Sequence, residues 1–230
     1  MKNIAFIKEH YNEQIYALNC FIEDAYRYLP NKDNSTIRFG GGTALAIYYF
    51  QHRLSFDIDL FVTDVQILNY LSPKHWIDET DKFNSSKYID LSNHIRVLEK
   101  KNNIKVDVLV SQNSSSDYLL DDSKEIFNGD VYVESIEDII AKKIVYRRND
   151  NLTRDIIDIA IAIKLNDGIF DRMLESGLIN EQDLSELKNS LESLDTETFL
   201  EEIEIVAPFE NYMNDAINAP EIIKSECNKL

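Results

Sequence analysis

Apolar residues follow a helical spacing near the start of the chain and a β-branched or alternating pattern further on. Residues 4–28 carry apolar side chains mostly three and four positions apart, which predicts one long helix that ends before Pro30. Strands are predicted where β-branched residues cluster or apolar and polar residues alternate, at 36–39, 55–62, 88–99 and 104–110. A turn at 100–103 would make the last two of these strands an antiparallel pair.

A glycine run at 40–42 interrupts the first predicted strand, and a helical pattern follows it at once over residues 43–52. The glycines are therefore expected at the start of a helix. Further on, Asn128-Gly129 indicates another hairpin, and the polar stretch at 111–117 predicts an exposed loop.

From Ser135 onward the apolar spacing is helical. Ser135 and Asp138 predict a capping box for a helix over 136–148, and a second helix is predicted over 153–165. Apolar and acidic residues alternate irregularly through 166–230, a pattern that indicates further amphipathic helices.

The change from strand to helix spacing predicts two parts in this 230-residue chain, with a boundary near residue 134. We expect an α+β fold, in which a mixed sheet flanked by helices at 1–134 precedes a helical C-terminal lobe at 135–230. The apolar fraction of 44% and the charged fraction of 28% are those of a globular protein and exclude a disordered or fibrous chain.

The N-terminus mixes acids and amides with its apolar residues, unlike a secretory signal, and no stretch has the length of a membrane span. We therefore expect a cytoplasmic protein without a membrane partner. Cys20 and Cys227 lie near opposite ends of the chain without metal-type spacing, so buried or unreactive thiols are expected rather than a disulfide or a zinc site.

The formal charge of −17 is spread unevenly. Residues 166–230 hold sixteen Asp and Glu against four Lys and Arg, so this tail carries −12 of the total. The remaining 165 residues are only mildly acidic, and the overall charge therefore does not exclude a nucleic-acid partner.

Three aspartates in two predicted strands are candidates for chemistry. Asp57 and Asp59 are two positions apart, so in an extended strand they point to one side while their apolar neighbours point to the other. Two such charges repel each other unless a cation lies between them, and Mg²⁺ takes oxygen ligands of this kind. Asp107 lies on an otherwise apolar strand. If the two strands are neighbours, three carboxylates converge, which suits two-metal phosphoryl or nucleotidyl transfer with one acid activating the attacking hydroxyl.

The Asp-x-Asp spacing is not specific by itself. It is common at solvated strand edges, and glycosyltransferases also use it to hold a metal-bound sugar nucleotide. Asp107 and the glycine run are not expected in a glycosyltransferase, and they favour the nucleotidyl-transfer interpretation.

Gly41, Gly42 and Thr43 are candidates for binding the nucleotide phosphates. Glycines let the backbone approach a phosphate closely, and the helix that follows presents free N–H groups and the positive end of its dipole. Thr43 would cap this helix or bond a phosphate. A turn of this composition also serves simply to pack a helix tightly on a strand.

Lys143 is predicted to point inward, because it shares a helix face with Ile136, Ile139 and Ile140. Asp158 has apolar neighbours in the next helix, so we expect it to be at least partly buried beside a cation, either Lys143 or an arginine. Two interpretations stay open: an ion pair alone, or a Lys143 that contacts the nucleotide phosphates and is oriented by Asp158.

Residues 142–154 contain five Lys or Arg and one Asp, a local charge of +4. Such a segment suits RNA or a triphosphate and is equally compatible with a solvated helix face. Arg53 is a candidate phosphate contact, a partner of Asp57, or a structural residue of the turn. The four histidines lack ligand spacing and a nearby nucleophile, so no catalytic histidine is expected.

The segment GGGTALAIYYFQHRLSFDIDLF closely resembles the signature of the AbiEii/AbiGii-type abortive-infection toxins, a branch of the nucleotidyltransferase superfamily. The matching positions after the Gly-Gly-Thr turn are Arg53, Ser55, Asp57, Asp59, Leu60 and Phe61. The resemblance implies a polymerase-β-like sheet in which Asp57 and Asp59 bind Mg²⁺ and Asp107 completes the triad. A two-metal site is expected, with Mn²⁺ as a substitute ion.

The segment SIEDIIAKKIVYRRNDNLTRDIIDI is similar to a helical segment of the same family, with matches at Lys143, Arg154, Asp155 and Asp158. The similarity implies that Lys143, Arg154 and Asp155 bind the nucleotide and that Lys143 and Asp158 belong to the catalytic set. The lobe at 135–230 would then complete the active-site cleft.

The resemblance implies a toxin that transfers a nucleoside monophosphate from an NTP to an acceptor hydroxyl, which in some relatives is the 3′ end of tRNA. An antitoxin partner and a role in phage defence are implied with it. AMPylation-like modification of a protein, a sugar-nucleotide glycosyltransferase and a catalytically silent interaction module are the alternatives.

Overall fold

A seven-stranded mixed sheet forms the centre of the first of two structural units. The computed structural model describes residues 3–111 and 117–229, so most of the loop predicted at 111–117 lies outside the described residues. The first unit comprises the residues up to Tyr49 and Ser55–Glu134, and the second comprises Phe50–Leu54 and the residues from Ser135. The segment Phe50–Leu54 thus belongs to the second unit although it precedes the predicted boundary. The active-site cleft expected from 135–230 stays a prediction.

The sheet combines parallel and antiparallel neighbours, as predicted for an α+β protein. Its strands are β1 (Ile37–Gly40), β2 (Ile58–Val62), β3 (Ile89–Asp90), β4 (His94–Leu98), β5 (Lys105–Val110), β6 (Tyr118–Asp121) and β7 (Val131–Glu134). They lie in the order β3-β4-β5-β2-β1-β7-β6. The β2–β5 and β1–β7 pairs are parallel and the other pairs are antiparallel.

The observed strands depart from the prediction in three places. β2 begins at Ile58, so Asp57 lies immediately before the strand. The strand predicted over 88–99 is two strands, because the chain turns where Leu91 N–H bonds to His94 O at 2.8 Å. β6 and β7 do form an antiparallel pair, but their connection spans 122–130, so Asn128-Gly129 is not a two-residue hairpin turn.

One face of the central strands is fully buried. Alternate residues of β2, β4 and β5 have at most 1% exposure and belong to the core: Ile58, Leu60, Val62, Ile95, Val97, Val106 and Val108. Because side chains alternate along a strand, the residues between them project to the other face. That second face carries the polar side chains of these three strands.

The described part of the first unit contains four α-helices: α1 (Ile4–His10), α2 (Asn12–Ala25), α3 (Gly41–Ala44) and α4 (Gln66–Leu71). The single helix predicted over 4–28 is therefore wrong. Tyr11 leaves the helical conformation, with φ −123° and ψ 22°, and a 3₁₀ turn at Tyr26–Tyr28 follows α2. The apolar spacing continues across both breaks and so does not reveal them.

The helix predicted over 43–52 begins at the glycines. α3 starts at Gly41 and continues from Leu45 to Phe50 as a π-helical turn. A π turn adds a residue to each hydrogen-bonded ring and is frequent near functional sites.

Over its described residues, which end at 229, the second unit is helical apart from its connections and an isolated bridge between Arg53 and Pro208. Its helices are α5 (Ile136–Arg147), α6 (Thr153–Leu165), α7 (Ile169–Glu175), α8 (Glu181–Glu192), α9 (Thr196–Val206), α10 (Glu210–Ile217) and α11 (Ala219–Cys227). The helices predicted over 136–148 and 153–165 and the amphipathic helices of the tail are confirmed. No helix of the described residues is long and apolar enough to span a membrane.

Ser135 caps α5 as predicted, because its side chain accepts a hydrogen bond from Asp138 N–H and donates one to Asp138 Oδ2. We expect Ser135→Ala to lower the free energy of unfolding by about 1 kcal/mol, measured by urea denaturation. The matched control is Ser185→Ala, an exposed position inside α8, where alanine is the better helix former and stability should not fall. Equal stabilities of the two variants would contradict the capping role.

Candidate active site

Asp59 lies where three predicted features meet. In β2 it is the register partner of Gly40 at the end of β1 and, on the other side, of Asp107 in β5. Register partners on neighbouring strands project to the same face of a sheet. The structure thus places Asp59 and Asp107 side by side, beside the glycine turn.

The glycine turn is in direct contact with Asp59. Gly41 has φ +69°, and a Cβ at this position would lie 2.1 Å from Asp59 Oδ2. A Cβ on Gly40 would in turn lie 2.1 Å from Oε2 of Glu134, an acid at the end of β7 that the sequence did not single out. Gly41 and Gly42 are both partly exposed, so the turn is not covered by packed side chains.

Asp57 lies on the same face, at its edge. Its side chain is 41% exposed, and its Oδ1 is 3.6 Å from Lys105 Nζ. Lys105 is two positions before Asp107 in β5 and therefore shares its face. Asp57, Asp59 and Asp107 are thus gathered on one side of the sheet, as the alternating pattern predicted.

Asp107 is held by two side chains of β4, His94 and Arg96. Its Oδ1 accepts from Arg96 Nε at 2.7 Å and from His94 Nε2 at 2.5 Å. Arg96 is the register partner of Asp107, and His94 is two positions away on the same face. The sequence predicted no role for His94 or for Arg96. The available signal was the alternation in HIRVL, which places both polar residues opposite the apolar core face.

All three acids affect the pKa of Arg96. The hydrogen bond to Asp107 raises the pKa of the Arg96 guanidinium against the opposing effect of partial burial, and the charges of Asp107, Asp57 and Asp59 raise it further. Arg96, Lys105 and the three carboxylates therefore form one charged cluster on the exposed face of the sheet.

The donor chemistry of this cluster suits a hard divalent cation, since carboxylate oxygens are the ligands that Mg²⁺ prefers. Asp59 and Asp107 are adjacent in register, and Gly41 leaves room beside Asp59 that a side chain would fill. Within residues 3–111 and 117–229, however, no three Asp, Glu, His or Cys side chains already surround one ion position. Mg²⁺ commonly binds one or two carboxylates and completes its shell with water and phosphate oxygens, so Asp59 and Asp107 are sufficient protein ligands for such an ion.

Thr43 is fully buried, and its hydroxyl faces the protein. Oγ1 donates to the backbone carbonyl of Asp57 and is 2.9 Å from Ser55 Oγ. These contacts fasten the segment that leads into β2. A phosphate contact by Thr43 stays a prediction.

The second unit contains a buried ionic cluster centred on Asp158 of α6. Arg53 forms a two-point pair with this carboxylate, Nε to Oδ1 at 2.8 Å and Nη2 to Oδ2 at 2.7 Å. Lys143 Nζ is 3.0 Å from Oδ2, and His52 Nε2 is 2.6 Å from Oδ1. The expected burial of Asp158 beside a cation is confirmed, and it has two cations rather than one. Arg53 pairs with Asp158, so the alternative of a pair with Asp57 is wrong.

Burial shifts the pKa values of both Asp158 and His52. It raises the pKa of Asp158, but the charges of Arg53 and Lys143 and the hydrogen bond from His52 outweigh it and hold the pKa well below its usual range. Burial lowers the pKa of His52 against the opposing effect of Asp158. At neutral pH the cluster therefore contains an ionised Asp158 and a neutral His52.

Lys143 points inward from α5, as its helix face predicted, with a side chain only 8% exposed. Besides Asp158 it contacts Asp155 Oδ1 at 2.5 Å, and Arg147 Nη1 lies 3.3 Å from the other oxygen of Asp155. Burial raises the pKa of Asp155, and Lys143 and Arg147 lower it by more, so it falls below the ordinary value. The geometry accounts for Lys143 as the counter-ion of two buried carboxylates; a phosphate contact is an additional role that stays a prediction.

The positive charge of residues 142–154 is largely matched by carboxylates of the same unit. Lys143 and Arg147 pair with Asp155. Arg148 pairs with two acids of α8, Asp183 at 3.3 Å and Glu186 at 2.6 Å. Arg154, which the sequence associated with the nucleotide, is exposed on α6.

Comparisons with known proteins address what this arrangement does. A family model described as the nucleotidyl transferase AbiEii toxin of type IV toxin–antitoxin systems matches residues 26–216. No curated protein matches the chain.

Two solved structures resemble the chain over almost its whole length. MenT4, a nucleotidyltransferase toxin from Mycobacterium tuberculosis H37Rv, aligns with a TM-score of 0.53 at 16% identity and covers 96% of this chain and 89% of its own. A Helicobacter pylori protein described as a candidate nucleotidyltransferase aligns with a TM-score of 0.52 at 14% identity and covers 96% and 97%. At these identities the likeness concerns the fold, which is that of nucleotidyltransferases.

Proposed function

We propose, from the premise that this chain belongs to the AbiEii family of nucleotidyltransferase toxins, that it transfers a nucleoside monophosphate from an NTP to an RNA 3′ hydroxyl. Nucleotidyl transfer and an NTP substrate follow from the family, as does the expectation of an antitoxin. The RNA acceptor, with tRNA as the first candidate, is the proposal. The observation that carries nucleotidyl transfer is the placement of Asp59 beside Asp107 and against Gly41. The choice of RNA as acceptor rests on the resemblance to the family.

We propose that Asp57, Asp59 and Asp107 hold Mg²⁺, for which Mn²⁺ would substitute. Bound there, the ion would supply Lewis-acid stabilisation of charge on the phosphate oxygens. The clustering of the three acids on one face of the sheet supports this assignment, because Asp59 and Asp107 present oxygen ligands from adjacent rigid strands.

The reaction itself is an in-line displacement. The oxygen of the acceptor hydroxyl bonds to the α-phosphorus, the bond between the α- and β-phosphates breaks, and pyrophosphate leaves. The proton of the hydroxyl passes to a carboxylate of the cluster, which acts as general base. The exposed backbone of Gly41 and Gly42 lies beside Asp59 and is proposed to contact the phosphates.

The second unit contributes the other proposed residues. Lys143, Arg154 and Asp155 are assigned to nucleotide binding from their match to the family segment, and Asp158 to the catalytic set as the group that orients Lys143. What supports Lys143 is that its ammonium group is held in a fixed position by Asp155 and Asp158. The setting we propose is a toxin–antitoxin system of the cytoplasm that acts in phage defence.

Labelled substrates test the acceptor. We expect purified protein with Mg²⁺, each α-labelled NTP in turn and total tRNA to place label on the tRNA. The label should be absent when the tRNA 3′ end has been oxidised with periodate, because the attacking hydroxyl is then gone. Asp59→Asn serves as the inactive control.

The same assay separates the alternatives. Candidate proteins are included as acceptors, and label in protein alone would replace the RNA proposal with protein nucleotidylation. Incorporation from a sugar nucleotide in place of an NTP would indicate a glycosyltransferase. No incorporation with any substrate would leave an interaction module of the same fold.

A further inference from the structure

The contacts of Asp107 are confined to one of its oxygens. Arg96 and His94 both donate to Oδ1, at 2.7 Å and 2.5 Å. Oδ2 accepts no hydrogen bond from any described residue. The Asp107 side chain is only 6% exposed. Its carboxylate is therefore largely buried, with Oδ1 held by two hydrogen bonds and Oδ2 without one.

The register of β4 against β5 explains why both hydrogen-bond donors lie beside Asp107. Arg96 lies directly opposite Asp107 in the β4–β5 pair, and His94 lies two positions further along the same face. The neighbours Ile95 and Val97 are fully buried in the core, which fixes the side of the sheet that Arg96 and His94 occupy. Both donors are therefore placed by the backbone of a central strand rather than by a loop.

We infer that Arg96 and His94 are positioning residues that hold Oδ1 of Asp107 so that Oδ2 is presented to the divalent cation. This inference rests on the proposed function, because it assumes that Asp107 is a metal ligand. Carboxylates that bind metals are commonly hydrogen-bonded through a second layer of side chains, which orients the ligating oxygen.

The competing explanation is that Arg96 is a counter-ion that occupies the acids and opposes cation binding. The two effects have opposite signs and different sizes. Losing a second-layer partner typically weakens metal affinity by roughly 10- to 100-fold. Arg96 is 41% exposed, so water screens its charge, and removing the charge should strengthen cation binding by at most about fivefold. Positioning is therefore the larger effect, and removal of Arg96 should weaken binding.

The test is the affinity of the nucleotide-free, full-length protein for Mn²⁺ alone, measured by isothermal titration calorimetry. We expect Arg96→Gln to raise the Kd for Mn²⁺ roughly 10-fold or more. His94→Phe, which keeps a ring but removes the donor, should raise it in the same direction. Arg96→Lys retains the charge without the planar donor group and should also bind more weakly than wild type.

Arg172→Gln is the matched control, because Arg172 has a similar exposure of 46% and pairs with Glu137, which is not a proposed ligand. Its Kd should equal that of wild type. A lower Kd in Arg96→Gln, with Arg96→Lys like wild type, would establish the counter-ion explanation and overturn positioning. An unchanged Kd in Arg96→Gln would also overturn positioning. Wild-type protein that binds no Mn²⁺ would instead overturn the proposed metal site, and this inference with it.

Discussion

Asp158→Asn should lower the free energy of unfolding by about 3–5 kcal/mol, because it leaves Arg53 and Lys143 buried without one of their partners. The carboxylate is fully buried and is contacted by two cations and by His52. Removing a single member of such a cluster costs far more than the whole cluster contributes, since the remaining charges keep their desolvation penalty. Urea denaturation followed by circular dichroism measures the change.

Asp215→Asn provides the control for this prediction. Asp215 is 3.5 Å from Lys164 in a partly exposed pair of the same unit, and such pairs contribute less than about 1 kcal/mol. A loss of similar size in both variants would show that the buried cluster has no special role. Activity measured on the folded fraction of Asp158→Asn would additionally report whether Asp158 matters for transfer beyond stability.

The stabilisation by Asp158 should depend on pH in a defined direction. Its pKa is well below the ordinary value in the folded protein, so the stabilisation is present above the unfolded pKa of about 3.9 and is lost as the pH falls through the folded value. The difference in stability between wild type and Asp158→Asn should therefore be full at neutral pH and should shrink only below about pH 4. A difference that disappeared between pH 7 and 5 would contradict the assigned ionisation.

Gly41→Ala should reduce nucleotidyl transfer by about 100-fold or more, because the new Cβ would displace Asp59 from its position. Gly41 has φ +69°, and the added carbon would lie 2.1 Å from Oδ2 and 2.9 Å from Cβ and Cγ of Asp59. The left-handed backbone conformation adds a stability penalty of about 1–2 kcal/mol. Initial rates with labelled NTP and the unfolding free energy are both measured.

Gly177→Ala is the control that distinguishes the backbone penalty of Gly41→Ala from the displacement of Asp59. Gly177 has φ +71°, but apart from the glycine and its two chain neighbours no atom of the described residues lies within 4 Å of the position of a Cβ. It should therefore show the same backbone penalty with an unchanged transfer rate. Wild-type activity in Gly41→Ala, or an equal loss of activity in Gly177→Ala, would show that the contact between the glycine turn and Asp59 has no specific role in nucleotidyl transfer.

The elements that the sequence predicted well are those that depend on short-range patterns. The helix over 153–165 and the cap at Ser135 were placed correctly, because apolar spacing and capping act within a few residues. Backbone breaks inside a continuous pattern were missed. The interruption of the first helix at Tyr11 and the π turn after α3 leave the apolar spacing unchanged and depend on how the side chains pack.

The candidate site likewise contains features that the sequence predicted and others that it did not. Alternation was enough to predict that Asp57 and Asp59 share a face and that Asp107 lies opposite the apolar face of its strand, and the glycine run was enough to expect a turn before a helix. That the two strands are neighbours is decided by the structure. Which side chains surround these acids was not predictable. Arg96 and His94 reach Asp107 through the register of β4 on β5, which the local pattern does not specify.

The sequence by itself determined the α+β organisation, the identity of the three candidate acids and the burial of Asp158, because these follow from the patterns within individual strands and helices. Only the tertiary structure decided which charged side chains pair with one another. Arg53 meets Asp158 across 105 residues of chain, and Arg148 is matched by acids of α8 rather than left as a basic surface. Such contacts depend on how distant segments pack together, and a local pattern of residues carries no information about that packing.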